Sequence, residues 1–204
     1  MATLPRRFYA RPTLDVAREL LGHALVWRGE GGPIGGIIVE VEAYGGADDP
    51  ASHAYRGETA RNRAMFGAPG HAYVYLTYGM HHCLNVVTES AGVPCAVLVR
   101  AIAPTIGPER WRAARPDLPL ARAGAGPGRI CRALGLNRRH DGFDLTRSDL
   151  VVRAVAERPR PADIRSGPRI GIRHAREAPW RFWLDGHPAV SHASGRARAT
   201  AKRG

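Results

Sequence analysis

Lysine is almost missing from this chain. Of its 30 Lys and Arg residues one is a lysine, Lys202 near the C-terminus, and all the others are arginine. Arginine carries a planar fork suited to phosphate and cannot act as an amine nucleophile, so no Schiff-base lysine is available in the body of the chain. Cysteine is also scarce. Cys83, Cys95 and Cys131 stand apart with no C-x-x-C pair, which excludes a zinc ribbon, an iron–sulfur cluster and a disulfide framework. Three separate thiols suit a reducing compartment. Long apolar runs are absent as well: no stretch approaches the roughly 20 apolar residues of a membrane span, and residues 1–12 contain no apolar core of a secretion signal. The expectation is a cytoplasmic protein with no membrane partner, no metal and no cofactor.

What is present is positive charge. With 18 Asp and Glu against 30 Lys and Arg, the net charge of the 204 residues is +12. A polyanionic partner follows, be it nucleic acid, an anionic membrane surface or a ribosome-like assembly. The length suits one buried core. Hydrophobic residues make up 44% and charged residues 24%, the balance of a globular domain. No internal repeat or change of composition divides the chain. The expected layout is one mixed α/β (α+β) domain over residues 1–193, with a central, curved, mostly antiparallel sheet and surrounding helices. A small basic tail, 194–204, lacks any apolar pattern and is expected to be disordered.

Apolar spacing predicts a helix from Thr13 to Leu21, with Thr13 as N-cap and Gly22 as its C-terminal stop. Strand-like runs follow at 23–27, 37–44, 71–78, 83–88 and 95–101. A connection rich in Pro, Arg and Gly spans 103–127 and holds a short helix near 109–114. A second clear helix covers 128–136, and late strands are expected at 164–172 and 180–184.

Strand alternation across 37–44 places Ile37, Val39, Val41 and Ala43 toward the core, with Glu40, Glu42 and Tyr44 on the opposite face. Such a face is either a solvated edge or a site with two carboxylates and an aromatic ring. Residues 48–66 are polar and long for a connection, the kind of loop that usually carries function. Downstream, Tyr73, Tyr75 and Tyr78 lead into Gly79–Met80. This reads either as tyrosines packed on a sheet or as a hairpin whose tip exposes Tyr78 and Met80 as a wedge between base steps. His81, His82 and Cys83 are adjacent, so a strand would point them to alternating faces and not to one metal. The Gly-rich entry to residues 128–136 does not have P-loop or G-x-G-x-x-G spacing and reads as an ordinary helix start.

Taken together, these segments resemble the alkyladenine (3-methyladenine, or methylpurine) DNA glycosylase family from about Phe8 to Ser191. Eight blocks carry the resemblance in order: VARELLG (16–22), VEVEAYGG (39–46), DPASHAYRG (49–57), RNRAMF (61–66), YVYLTYGMHHCLN (73–85), VLVRAIAP (97–104), GPGRICRALGL (126–136) and RIGI (169–172). The resemblance implies a fold like the C-terminal domain of formyltransferases. It also implies a monofunctional hydrolase of base excision repair, acting as a monomer on damaged double-stranded DNA. Its substrates would be 3-methyladenine, 7-methylguanine, hypoxanthine and ethenoadenine, flipped out of the duplex and released to leave an abasic site.

By the same resemblance Glu42 is the base that activates water, helped by Arg100 and by the backbone carbonyl of Ile170. Tyr44, His53 and Tyr75 hold the flipped base, Asn85 excludes guanine through its 2-amino group, and Tyr78 with Met80 fills the gap in the duplex. Some members carry an aromatic residue beside the methionine, where this chain has His81. Two other readings compete: a nucleic-acid-binding module without catalysis, and a carbohydrate hydrolase using Glu40 and Glu42, which would lie about 7 Å apart along the strand.

Overall fold

Residues 34–44, rich in Ile and Val, form the strand on which the rest of the sheet is built. The computed structural model describes residues 2–191, and the tail expected at 194–204 lies outside them. The strands are β1 (Ala24–Trp27), β2 (Ile34–Tyr44), β3 (Ala72–Thr77), β4 (His81–Thr88), β5 (Cys95–Ile106), β6 (Leu150–Arg153), β7 (Ile164–Gly167) and β8 (Arg181–Leu184). All of their pairings are antiparallel, in the order β3-β4-β5-β2-β1-β6. Along one edge of β2, β1 pairs Ile34–Ile37 and then gives way to β8, which pairs Glu40–Glu42 and holds β7 on its far side. This is the single mixed α/β domain with an antiparallel sheet that the sequence predicts.

The alternation expected along β2 does not run unbroken. Its register against β5 shifts on either side of Glu40, with Ile38 opposite Ile102 and Glu40 opposite Ala101. One extra residue at such a bulge turns every later side chain to the other face. Ile38, Val41 and Ala43 therefore join the main core, whereas Val39 packs with Ala101, Ala189 and Val190. The prediction that Ile37 and Val39 share a face with Val41 and Ala43 is thus corrected. Nor is the opposite face solvated, since Glu40 and Glu42 are both 0% exposed.

Helices cover the core face of the sheet. α1 (Arg6–Tyr9) precedes α2 (Thr13–Leu20), and α3 (Pro108–Ala114), α4 (Leu120–Ala123) and α5 (Pro127–Leu134) follow β5. Val16, Ala17 and Leu20 of α2 and Ile130, Cys131 and Leu134 of α5 pack against Val41, Val74, Leu84, Val97 and Val99 of the sheet. Burying each large aliphatic side chain contributes about 1.5–3 kcal/mol, so this layer is what fixes the sheet in place. Gly22, at φ +82°, follows α2 as its expected stop. Thr13 is not the cap: Pro12 is, and the Thr13 hydroxyl is engaged by Thr88 Oγ1 (2.9 Å) and Glu89 Oε1 (2.5 Å).

The predicted strand at 164–172 is also only half formed, because β7 ends at Gly167. Pro168 cannot donate to a ladder, Arg169 is drawn to a buried carboxylate, and Gly171 adopts φ +77°. Residues 168–172 consequently leave the sheet and cross in front of β2.

Candidate active site

The bulge and the antiparallel register line up one cross-strand row: Tyr73 on β3, Asn85 on β4, Leu98 on β5, Glu42 on β2 and Arg181 on β8. Side chains two positions along, Tyr75 and Tyr44, extend that face. Opposite it stand the segment 170–174 and the loop 50–53, and between them lies a cavity of about 680 Å³. Tyr44, His53, Tyr75, Asn85, Arg100 and Ile170 line it, with Tyr78 at its rim. Glu42 sits behind this wall.

Three groups among the described residues hold the Glu42 carboxylate. Oε1 accepts the Ile170 N–H at 2.7 Å and lies 3.2 Å from a terminal nitrogen of Arg100. Oε2 accepts the Tyr44 hydroxyl at 2.9 Å. A carboxylate oxygen has two lone pairs, and the Tyr44 hydroxyl is the one donor to Oε2 among the described residues. Burial pushes the Glu42 carboxyl upward, opposed by the Arg100 charge and by the bonds from Ile170 and Tyr44. Burial likewise raises the Tyr44 hydroxyl well above its ordinary value, so it stays a donor to Glu42 at neutral pH.

Arg100 is shared between carboxylates. Its Nε is 3.3 Å from Glu40 Oε1, while its other arm faces Glu42. Glu40 is held in turn by Arg181 (3.1 Å) and by the Ser191 backbone N–H (2.6 Å). Two buried carboxylates and two guanidinium groups so balance in charge, which makes the burial tolerable.

On the other wall His53 sets its ring edge-on to Tyr75, with centroids 4.4 Å apart, and its Nδ1 lies 2.9 Å from the Tyr73 hydroxyl. The loop that carries His53 is ordered by Asn62, whose side-chain amide donates to the carbonyls of His53 and Gly57 at 2.9 and 3.0 Å. The Asn85 amide donates to the Tyr73 carbonyl at 3.1 Å and is thereby oriented at the floor of the cavity. Between β3 and β4 a three-residue turn places Tyr78 at φ +50° and Gly79 at φ +68°, two successive left-handed residues, and the Met80 N–H closes it on the Thr77 carbonyl at 3.1 Å. Its tip leaves Tyr78 81% and Met80 71% exposed.

The model of the methylpurine-DNA glycosylase family matches residues 7–188. A protein of Bacillus cereus, named provisionally as a 3-methyladenine DNA glycosylase, is 48% identical over 200 residues, covering 92% of this chain and 98% of its own length. A protein of Methanocella arvoryzae with the same provisional name is 48% identical over 195 residues, covering 94% and 96%. The chain belongs to the methylpurine-DNA glycosylase family. It is therefore a hydrolase of the base–sugar N-glycosidic bond and a DNA-repair enzyme. No helix among the described residues is long and apolar enough to cross a membrane.

Of the residues singled out from the sequence, Tyr44, His53, Tyr75, Tyr78, Asn85, Arg100 and Ile170 line the cavity, Glu42 is bonded to two of them from behind, and Met80 stands exposed on the hairpin turn beside Tyr78. Ile170 meets Glu42 through its backbone N–H; the contact expected from its carbonyl is a different one. Sequence reasoning assigned nothing to Tyr73, Asp49, Arg169, Arg181 or Ser191. Tyr73 was within reach, because it alternates with Tyr75 on one strand face. Asp49 and Arg169 open the blocks 49–57 and 169–172, but their pairing spans 120 residues; Arg181 and Ser191 meet Glu40 across 141 and 151 residues and leave no local pattern.

Proposed function

We propose that this glycosylase accepts an alkylated or deaminated purine flipped out of duplex DNA, and that Glu42 activates the water that displaces it. The observation that carries this reading is the Glu42 carboxylate, fixed by Ile170, Tyr44 and Arg100 and with a single donor to Oε2 among the described residues, behind a cavity walled by Tyr44, Tyr75 and His53. N-glycoside cleavage passes through an oxocarbenium-like state, so a fixed carboxylate both steadies positive charge and polarises the attacking water. Arg100 holds Glu42 in place and offers positive charge toward a phosphate.

Extrusion of a base costs a few kcal/mol, least where the pair is damaged, and stacking on aromatic walls recovers about 1–3 kcal/mol per base. Tyr78 and Met80, projecting from the hairpin tip, occupy the gap in the duplex. Asn85 at the cavity floor meets the 2-amino group of guanine and rejects it. 3-Methyladenine and 7-methylguanine carry positive charge in DNA and leave as neutral bases without acid assistance, which suits a single base. Hypoxanthine and ethenoadenine are neutral and take up a proton, drawn from solvent, as they leave. The absence of lysine from the chain before Lys202 supports a monofunctional enzyme that leaves the strand intact. We extend the reading to 3-methyladenine, 7-methylguanine, hypoxanthine and ethenoadenine as substrates, and to a monomer working on duplex DNA in the cytoplasm.

The carbohydrate-hydrolase reading needs Glu40 as a second catalytic carboxyl. Both oxygens of Glu40 are instead occupied structurally, Oε1 by Arg100 and Arg181 and Oε2 by the Ser191 N–H. The test uses duplex oligonucleotides with one hypoxanthine, ethenoadenine or 7-methylguanine, treated with alkali after incubation. Release of base with strands broken only after alkali is expected. Failure to release any of them refutes the substrate range, and breakage without alkali refutes the monofunctional reading.

A further inference from the structure

Behind Tyr44 lies a second buried ion pair. The Arg169 side chain is 0% exposed and forms a two-pronged contact with Asp49, one prong being Nη2 to Oδ1 at 2.8 Å. The same guanidinium donates to the Ala43 carbonyl at 2.9 Å and lies between two rings, 4.7 Å from the centroid of Tyr44 and 5.0 Å from that of Trp180. Asp49 is itself fixed by the backbone N–H groups of Gly45 (3.1 Å) and Ala51 (3.0 Å). Arg169 Nε is buried without a hydrogen-bond partner among the described residues. A buried ion pair yields little net stability, and an unmatched N–H subtracts from it. The value of this arrangement lies in position.

What it positions is Glu42. Ile170, the residue after Arg169, donates its N–H to Oε1, and Tyr44, the ring under the guanidinium, donates its hydroxyl to Oε2. Ala43 and Gly45, which the pair grips by their backbone, flank Tyr44. We propose that Asp49 and Arg169 act as a positioning pair for the glycosylase reaction, setting the two donors that orient the carboxylate of Glu42. This rests on the reading of Glu42 as the base. Neither residue lines the cavity, so neither is a catalytic residue.

The test compares Asp49→Asn, Arg169→Lys and Glu42→Gln with wild type, using a hypoxanthine duplex under single-turnover conditions and scaling rates to the folded fraction. Displacing catalytic groups by about 1 Å costs on the order of 100-fold in rate. Asp49→Asn is expected to lose about 10- to 100-fold while affinity for undamaged duplex holds. Its acid limb should move to higher pH, because a carboxylate that loses a donor holds its charge less well. Arg169→Lys keeps the charge without the two-pronged grip and should fall between that variant and wild type. An inactive Glu42→Gln beside two clamp variants with wild-type rates and an unmoved acid limb overturns the positioning pair alone. A Glu42→Gln enzyme as fast as wild type overturns the assignment of Glu42 and the pair with it. If both clamp variants fail to fold, the pair serves stability only and the proposal falls.

Discussion

Two ends of one cavity are built in opposite ways. At the Glu42 end the functional groups are buried and every one is held by several partners: Glu42 by Ile170, Tyr44 and Arg100, and Arg100 by two carboxylates and Ser191. At the hairpin end Tyr78 and Met80 project with most of their surface exposed, and a left-handed backbone holds the tip at a cost of roughly 1–2 kcal/mol for the non-glycine residue. Chemistry on a bond demands placement within a fraction of an ångström. Filling a gap in a base stack demands only an apolar body of the right bulk, delivered at the right height. The first end gives up solvation for precision; the second leaves apolar surface in water, where the proposed function has DNA cover it.

The sharpest way to break this contrast is Glu42→Gln. General-base catalysis contributes about 10²–10⁴-fold, so alkali-revealed abasic sites should form slower by that factor while gel-shift affinity for duplex stays intact. Stability should move the other way. Burial raises the folded-state carboxyl above its unfolded value, so any stability it lends is present at low pH and is lost as pH rises through the raised value. A neutral glutamine avoids that loss, and a Tm at pH 7 no lower than that of wild type is the expected outcome.

Arg100→Met tests the same end through charge. It leaves Glu40 and Glu42 without their shared cation, a loss of about 3–5 kcal/mol for a broken buried pair, or a Tm lower by on the order of 10 °C. A calorimetric Tm within a degree or two of wild type would refute the shared-cation account. Smaller still is Tyr78→Ala at the exposed end. Loss of one stacking contact predicts about a tenfold slower release from duplex, with Tm unchanged or raised because the side chain packs on little. A large fall in Tm would show that the tip is structural and erase the contrast.

The subtlest effect is in the pH profile. Glu42 must be ionised to act as base, so single-turnover rates should rise with pH along a limb centred above the ordinary glutamate value of about 4.3. A limb at or below that value would mean that Arg100 and the two donors outweigh burial.

Much of the exposed end was legible in the sequence. Tyr78-Gly79 between two runs of β-formers is a hairpin signal that depends on neighbours in the chain, and at the tip, where Tyr78 and Met80 are mostly exposed, little packing overrides it. The helix-stop glycine Gly22 and the strand core of β2 were legible for the same reason. The Thr13 cap was misread because its hydroxyl is claimed by Thr88 and Glu89, far along the chain. The face of Val39 was misread because the bulge is set by pairing with β5. The unbroken strand at 164–172 failed because Arg169 pairs with Asp49, 120 residues earlier.

By itself, then, the sequence determined the family and the antiparallel α/β class, and it supplied the residues proposed as base and aromatic wall, since these rest on residue types, local spacing and ordered motifs. Only the tertiary structure decided what surrounds Glu42. It showed that Glu40 is a tether for Arg100 and that a chain segment leaves the sheet to lay its amide on the carboxylate. It also buried a cation under Tyr44. These are contacts between residues far apart in sequence, formed once helices pack one face of the sheet and close approach makes burial of paired charges possible.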